Sequence, residues 1–439
     1  MTDLPPGAPT PWAAPPAGTV TVYRGATLFD GTGRPLRPNT TIVTDGARLH
    51  TVTGDGDPLP PHAAGAPRVD LDGRFVVPGL VDTHQHLATP PDRPAAEAVL
   101  RRLVYGGVTA VRDMADDLRH VGDLARATLV GEIPGPEIRY AALMAGPSFF
   151  DDPRTHEVSR GAVPGAVPWM QAVTPDTDLP IAVALARGTH AAAIKVYADL
   201  DAATVAAVTA EAHRQGIAVW AHATVFPAAP GEVVAAGVDS VSHVTLLAFE
   251  APTTEPLTSY KTKPPVDHAR FAAGDDPHLA ALFAEMRRRG TVLDATASMW
   301  TSDELRGDTA ESAERAARNA ELAAAVTGQA YRAGVDVSTG TDHETDPGDP
   351  FPALYGELAF LVERCGVPAA DVLRSATLVG ARAAGAEADM GSVEAGKLAD
   401  FAVLDENPLQ DIGNLRSITL TVRRGRPHAR AEFDKDARR

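Results

Sequence analysis

Between residues 78 and 386, short apolar runs alternate with longer stretches in which apolar positions recur every three or four residues. The runs are Gly79–Thr83, Val108–Arg112, Ile138–Leu143, Ala192–Tyr197, Ile217–His222, Val238–His243, Thr291–Ala295 and Val335–Thr341. Each has the length of a strand and is predominantly apolar, as a strand covered by helices must be. The stretches between them read as helices. Ala95, Val99, Leu100 and Leu103 share one helix face, and Val205, Val208 and Ala212 share another that stops at Gly216. Eight strands alternating with helices predict an α/β fold built on a (β/α)8 barrel of the TIM type. An open doubly wound sheet has the same alternation, so the polar residues at the strand ends decide between them.

The two chain ends have a different texture. Residues 19–77 show β-branched and aromatic alternation broken by turns, as in Thr19–Gly33 with its Asp30-Gly31 turn and in Arg74–Val77. The texture returns at Leu398–Pro408 and Ser417–His428. Residues 19–77 and 387–430 are therefore expected to meet in one small β-sandwich, with the barrel over 78–386 between them. Residues 1–18, rich in Pro, Ala and Gly, read as a flexible tail.

Composition narrows the function. A net charge of −17 argues against nucleic acid or an anionic membrane surface as partner, since both demand a basic face. A single cysteine, Cys365, allows no internal disulfide framework. No apolar run of about 18 residues and no secretory leader pattern occur, so a cytoplasmic protein acting on a small-molecule substrate is expected. A homo-oligomer is compatible with all of this.

The polar residues at the strand ends carry the chemistry. In Val81-Asp82-Thr83-His84-Gln85-His86 the two histidines point the same way, about 7 Å apart along a strand. At the C-terminal end of a barrel strand they would overhang the mouth, where barrel enzymes keep their chemistry, and imidazole suits zinc. Two histidines on the surface after a strand would have the same spacing. Lys195 ends the fourth run behind Ala191–Ile194. Buried there, it either reaches the rim as a cation or stays neutral, and a neutral amine can take up carbon dioxide as a carbamate able to bridge two metals. His222 and His243 end successive repeats, 21 residues apart. Asp342 closes the eighth run as a general base beside a metal-bound water. Tyr197 shares a face with Lys195 and is placed either to polarise a carbonyl or only to pack at the rim.

Pro78–His86 resembles the opening signature of the amidohydrolase superfamily, and Lys195, His222, His243 and Asp342 follow in that family's order. Ala376–Ala381 and Gly391–Asp400 are similar to its last helix and returning sandwich strands. The resemblance implies two divalent ions, with zinc expected. One would lie on His84, His86 and Asp342 and the other on His222 and His243, with carboxylated Lys195 and a hydroxide bridging them. It implies hydrolysis of an amide-type C–N bond in a peptide, N-acyl amino acid or lactam. Ile194–Tyr197 with Ala198-Asp199-Leu200 most resembles the branch of Xaa-Pro dipeptidases and imidazolonepropionase relatives.

Other features leave the substrate open. Ala145–Asp152 lacks the Gly/His-rich pattern of the dipeptidases, and Leu246–Pro277 is long enough for a lid. Candidates for touching substrate are Arg154 and His343. Lys261, Lys263 and Arg270 are further cations for a carboxylate, for which arginine's planar fork is the better match. The alternatives are a mononuclear ring opener of imidazolonepropionase type, an esterase, or an inactive scaffold. A deaminase is disfavoured because Val225 stands three residues beyond His222, where deaminases of this superfamily carry glutamate.

Overall fold

The computed structural model describes residues 10–343 and 348–436. The N-terminal segment forms β1 (Val20–Leu28), β2 (Arg37–Asp45), β3 (Arg48–Gly54), β4 (Arg68–Asp70) and β5 (Phe75–Pro78). β1, β2 and β3 form an antiparallel meander, while β4 and β5 lie parallel to β1. The pairing of β1 shifts between Tyr23 and Ala26, where Gly25 takes a φ of +74°. A side chain is strained in that conformation, and the bulge bends the strand over its core. Within the segment read as a tail, residues 10–18 make defined contacts: Trp12 N–H donates to Gly131 O at 3.0 Å and Gly18 N–H to Asp45 Oδ1 at 2.6 Å. Residues 1–9 lie outside the described part.

The barrel follows as β6 (Leu80–Gln85), β7 (Val108–Asp113), β8 (Glu137–Ala145), β9 (Ala166–Val167), β10 (Met170–Ala172), β11 (Ala193–Val196), β12 (Ala218–His222), β13 (Ser240–Ser242), β14 (Val292–Asp294) and β15 (Val337–Ser338). Eight of these run parallel in the order β6-β7-β8-β11-β12-β13-β14-β15, with an element at each of the eight expected runs. Thr83 N–H to Thr339 O at 2.9 Å and Asp342 N–H to His84 O at 2.9 Å link the last strand's end to the first. The β9–β10 hairpin was not expected. It pairs with β8 at Leu143–Ala145, beyond the stretch that β7 covers.

Helix Arg93–Tyr105 turns Ala96, Leu100, Leu103 and Val104 into the core: Leu100 and Leu103 are buried as expected, while Ala95 is exposed and Val99 half-buried. Helix Ala202–Arg214 buries Val205, Val208 and Ala212 as expected. Past the barrel, β16 (Phe401–Leu404), β17 (Ile418–Arg423) and β18 (Arg426–Ala429) return to the terminal sheet, β16 pairing antiparallel with β5. Both chain ends thus build one hydrogen-bonded sheet, ordered β18-β17-β16-β5-β1-β2-β3 with β4 beside β1. Tyr23 packs edge-on against Phe401 with centroids 5.1 Å apart, joining the two ends in one core. At the passage from sheet to barrel, a Cβ on Gly79 would fall 2.0 Å from Thr109 Oγ1, so only glycine fits between β5 and β6. Among the described residues no helix is long and apolar enough to cross a membrane.

Candidate metal centre

The polar strand ends converge at one mouth of the barrel. His84 Nε2 lies 3.5 Å and His86 Nε2 3.4 Å from Asp342 Oδ1, and His243 Nδ1 lies 3.5 Å from Asp342 Oδ2. One donor atom each from His84, His86 and Asp342 falls within 4.8 Å of the others. The ring of His243 stands 4.8 Å from that of His84 and 4.7 Å from that of His222. His243 and Asp342 both occupy left-handed backbone, at φ +72° and +53°. Non-glycine residues persist there only where the surroundings hold them, and such strain gathers at functional sites.

Each histidine of the first strand is fixed through its other ring nitrogen. His84 Nδ1 lies 2.7 Å from Asp294 Oδ2, and His86 Nδ1 lies 2.7 Å from Asp116 Oδ1. A carboxylate behind the imidazole sets tautomer and ring angle, as metal-ligating histidines require. Asp294 also accepts from Thr83 Oγ1 at 2.7 Å and Ser242 Oγ at 2.9 Å, and pairs with the fully buried Arg112 at 3.1 Å. Ser242 Oγ in turn lies 3.4 Å from Lys195 Nζ.

The electrostatics suit cation binding. Burial lowers the Lys195 ammonium to about 7, with Asp294 opposing and Arg112 reinforcing the drop. Burial alone would raise Asp342, yet the imidazoles of His84, His86 and His243 hold it well below the usual carboxylate range. Burial pushes His243 down to about 3 and His222 well below its ordinary value, so both rings are neutral donors at neutral pH. The buried Nδ1 of His222 has no hydrogen-bond partner among the described residues. Against its burial, Asp116 and Asp342 hold His86 well above its ordinary value; the neutral rings of His222 and His243, an ionised carboxylate and an unpartnered ring nitrogen fit a divalent metal, which would take the place of that proton.

The six expected ligand positions are therefore gathered at one place. Tyr197 packs its ring at a tilt, 3.9 Å from that of His222 and 4.5 Å from that of Phe149, and burial holds its phenol well above its ordinary value. His343 Nε2 lies 3.4 Å from Ser298 Oγ. Arg154 already spends its fork on Asp152, with Nη2 at 2.9 Å, and Arg270 pairs with Asp276 at 2.6 Å. Lys261 donates to Ser148 O at 3.3 Å, while Lys263 Nζ sits 3.7 Å over the ring of Tyr260. Sequence reasoning missed Asp116, Asp294, Ser242 and Tyr260. A carboxylate ending the apolar run Val292-Leu293 was a signal for Asp294. Tyr260 lies in the long strand-six loop, and no periodicity announces it. The backbone N–H of Tyr260 and the hydroxyl of Ser259 both donate to Asp199 Oδ1, which fastens this loop to the end of β11. The ring of Tyr260 consequently stands 5.6 Å from both Tyr197 and His222.

This architecture has known counterparts. An imidazolonepropionase of Cereibacter sphaeroides is 41% identical over 88 residues, which span 20% of this chain and 21% of that protein. An imidazolonepropionase of Micrococcus luteus is 27% identical over 415 residues, covering 83% of this chain and 92% of that protein. A solved Xaa-Pro dipeptidase with methionine in its active site superposes with a TM-score of 0.71 at 22% identity, covering 93% of this chain and all of that one. The profile of the amidohydrolase family matches residues 75–427, from β5 through the barrel to β18, and the chain belongs to that family.

Proposed function

We propose that this chain is a metal-dependent hydrolase cleaving an amide-type C–N bond in a small molecule: a peptide, an N-acyl amino acid or a lactam. The observation that carries this reading is the convergence of His84, His86 and Asp342 on one point, with His222, His243 and Lys195 beside it. Two divalent ions, zinc being well matched to these donors, would be held by His84, His86 and Asp342 and by His222 and His243. Lys195, with much of its amine neutral near pH 7, would take up carbon dioxide and release a proton, leaving a two-oxygen carbamate between them. When bound, such ions polarise a carbonyl and make water a stronger acid.

The chain's own groups supply the proton chemistry. Asp342 accepts the proton of the attacking water on its carboxylate and returns it to the leaving nitrogen. Tyr197 stays protonated at neutral pH and donates its hydroxyl hydrogen to the carbonyl oxygen as negative charge builds there. Phe149 and Tyr260 pack around Tyr197 and keep bulk water from that side.

A second reading is a single-ion hydrolase that opens a ring, of imidazolonepropionase type. The likeness to the Micrococcus luteus imidazolonepropionase favours it, as does the three-donor cluster of His84, His86 and Asp342. Metal analysis of purified protein separates the two: two tightly held ions per chain support the first reading, one the second. Screening dipeptides, N-acyl amino acids, lactams and esters with metal-loaded enzyme then tests the bond. A metal-loaded protein that turns over esters only, or nothing, overturns the C–N assignment.

A further inference from the structure

Past β14 the chain runs through Asp294-Ala295-Thr296-Ala297-Ser298 into a short helical turn at Ser298–Thr301. Alternate side chains of this run each reach a histidine of a different strand end. Asp294 Oδ2 lies 2.7 Å from His84 Nδ1, Thr296 Oγ1 3.1 Å from His243 Nδ1, and Ser298 Oγ 3.4 Å from His343 Nε2. The backbone is stitched to the same place: His243 N–H donates to Asp294 O and Val244 N–H to Ala295 O, both at 3.1 Å.

Thr296 sits in this run at a cost. Its φ is +44°, left-handed backbone that a β-branched residue rarely adopts, and it is enclosed together with Ala297 and Ser298. Such a residue persists only where its surroundings over-determine it. The next two amides show what does so. Ala297 N–H donates to Glu357 Oε1 at 3.1 Å and Ser298 N–H to Glu357 Oε2 at 2.6 Å, one to each oxygen. Glu357 is fully buried on helix Leu354–Glu363, where its enclosed neighbours Leu354, Leu358 and Leu361 are apolar. It pairs with no cation among the described residues, and the charge that bears on it is the like one of Asp294. A carboxyl group so placed is costly to bury, and the two backbone donors offset that cost.

We propose that Glu357 is a positioning residue for the metal centre: it clamps the turn after β14, holds Thr296 left-handed and so sets the ring angle of His243. The Thr296 hydroxyl is the contact through which the clamp acts. The same Nδ1 of His243 lies 3.5 Å from Asp342 Oδ2, so a turn of the ring changes which nitrogen faces that carboxylate and an ion beside it. The ion rests on the hydrolase reading above; the hold on the ring does not.

NMR of the metal-free protein carrying isotope-labelled histidine tests the hold, with the His243 signals assigned through His243→Asn. Two replacements are made, so that one folded variant suffices. Glu357→Gln keeps the length but offers one acceptor for the two amides, and Glu357→Asp is a methylene too short to reach both. In either, the His243 ring signals should move or broaden while those of His222 stay in place. Thr296→Val, which removes the hydroxyl and leaves Glu357 alone, should reproduce the change at His243. Zinc affinity of the folded Glu357 variant should fall about tenfold, as for other groups behind a ligating histidine. A carboxylate that only supports the fold lowers the urea midpoint and leaves ring and zinc affinity as in wild type. That result, an equal displacement of every histidine, or a Thr296→Val protein with an unmoved His243 would overturn the proposal. A selective change at His243 in a protein whose wild type binds no zinc leaves the clamp standing and removes the metal reading alone.

Discussion

Asp294 Oδ2 lies 2.7 Å from His84 Nδ1, and both side chains are closed off from solvent. The contact turns the opposite ring nitrogen toward Asp342, so a residue on the seventh barrel strand aims a donor on the first. Asp294 is also the counter-charge of Arg112, which is fully buried and stacked 4.5 Å over Trp220. Asp294→Asn should therefore fail twice. Metal affinity should fall about 10- to 100-fold, as when the group behind a metal-ligating histidine is removed. Stability should drop by about 3–5 kcal/mol, because Arg112 is left as a buried cation without compensation. Metal content by mass spectrometry and a urea midpoint check both. A variant with wild-type values for the two would show that Asp294 neither orients His84 nor balances Arg112.

Asp342 sits within 3.5 Å of nitrogens from three histidines and is held ionised by them. If it moves the proton, Asp342→Asn should cost on the order of 10²–10⁴ in kcat, with further loss from weaker metal binding. The circular dichroism spectrum should stay that of wild type. Full turnover by a metal-loaded Asp342→Asn protein is incompatible with the role.

The barrel was legible because its eight strands are compact apolar runs, several of them ending in a residue that no core would otherwise accept. Lys195, His222 and His243 are conspicuous for that reason: burying such groups costs free energy unless a partner or a metal offsets it. Asp342 was legible for the same reason at the last strand. Asp116 was hidden in Asp113-Met114-Ala115-Asp116, where acidic residues read as an ordinary turn, although its carboxylate turns inward to His86. The β9–β10 hairpin escaped because strands of two and three residues carry no measurable period.

Glu357 predicts a pH dependence that does not involve the metal ligands. It is fully buried on helix Leu354–Glu363 and accepts from Ala297 N–H at 3.1 Å and Ser298 N–H at 2.6 Å. Desolvation, opposed by those bonds, raises its carboxyl to about 7. The folded protein therefore holds this proton at pH values where the unfolded chain, near the ordinary 4.5, has lost it. The stabilisation is complete below about pH 4.5 and is lost as pH rises through about 7. Unfolding free energy should fall by about 1–3 kcal/mol from this group across that window. Asp400, raised to about 6 by burial, adds a smaller loss of the same sign. Urea titrations at pH 5.5 and 8 should show a shallower decline in Glu357→Gln, whose amide does not titrate. An identical decline in both proteins would assign the pH dependence elsewhere.

The last expectation concerns the strand-six loop. Asp199, in left-handed backbone at φ +57°, accepts from Ser259 Oγ at 3.1 Å and Tyr260 N–H at 2.9 Å through Oδ1, and from Ser148 Oγ at 2.6 Å through Oδ2. One carboxylate thus ties the strand-three and strand-six loops to the strand that carries Lys195 and Tyr197. Beside these bonds, Lys261 Nζ donates to Ser148 O and Leu257 and Tyr260 pack on the barrel mouth, while Leu257–Lys263 is half-exposed or exposed throughout. Removing the carboxylate should free the loop without unfolding the barrel, because these bonds lie at its mouth and not in its core. Asp199→Ala should therefore speed hydrogen exchange over residues 255–263 by about tenfold or more, the loss of one to two hydrogen bonds' worth of local stability. The urea midpoint should change little. With Tyr260 no longer held against Tyr197 and His222, KM should rise more than kcat falls if the loop encloses substrate without touching the proton. If exchange over 255–263 stays at the wild-type rate in Asp199→Ala, Asp199 is not the clasp. If exchange rises while KM is untouched, Tyr260 does not contribute to holding the substrate.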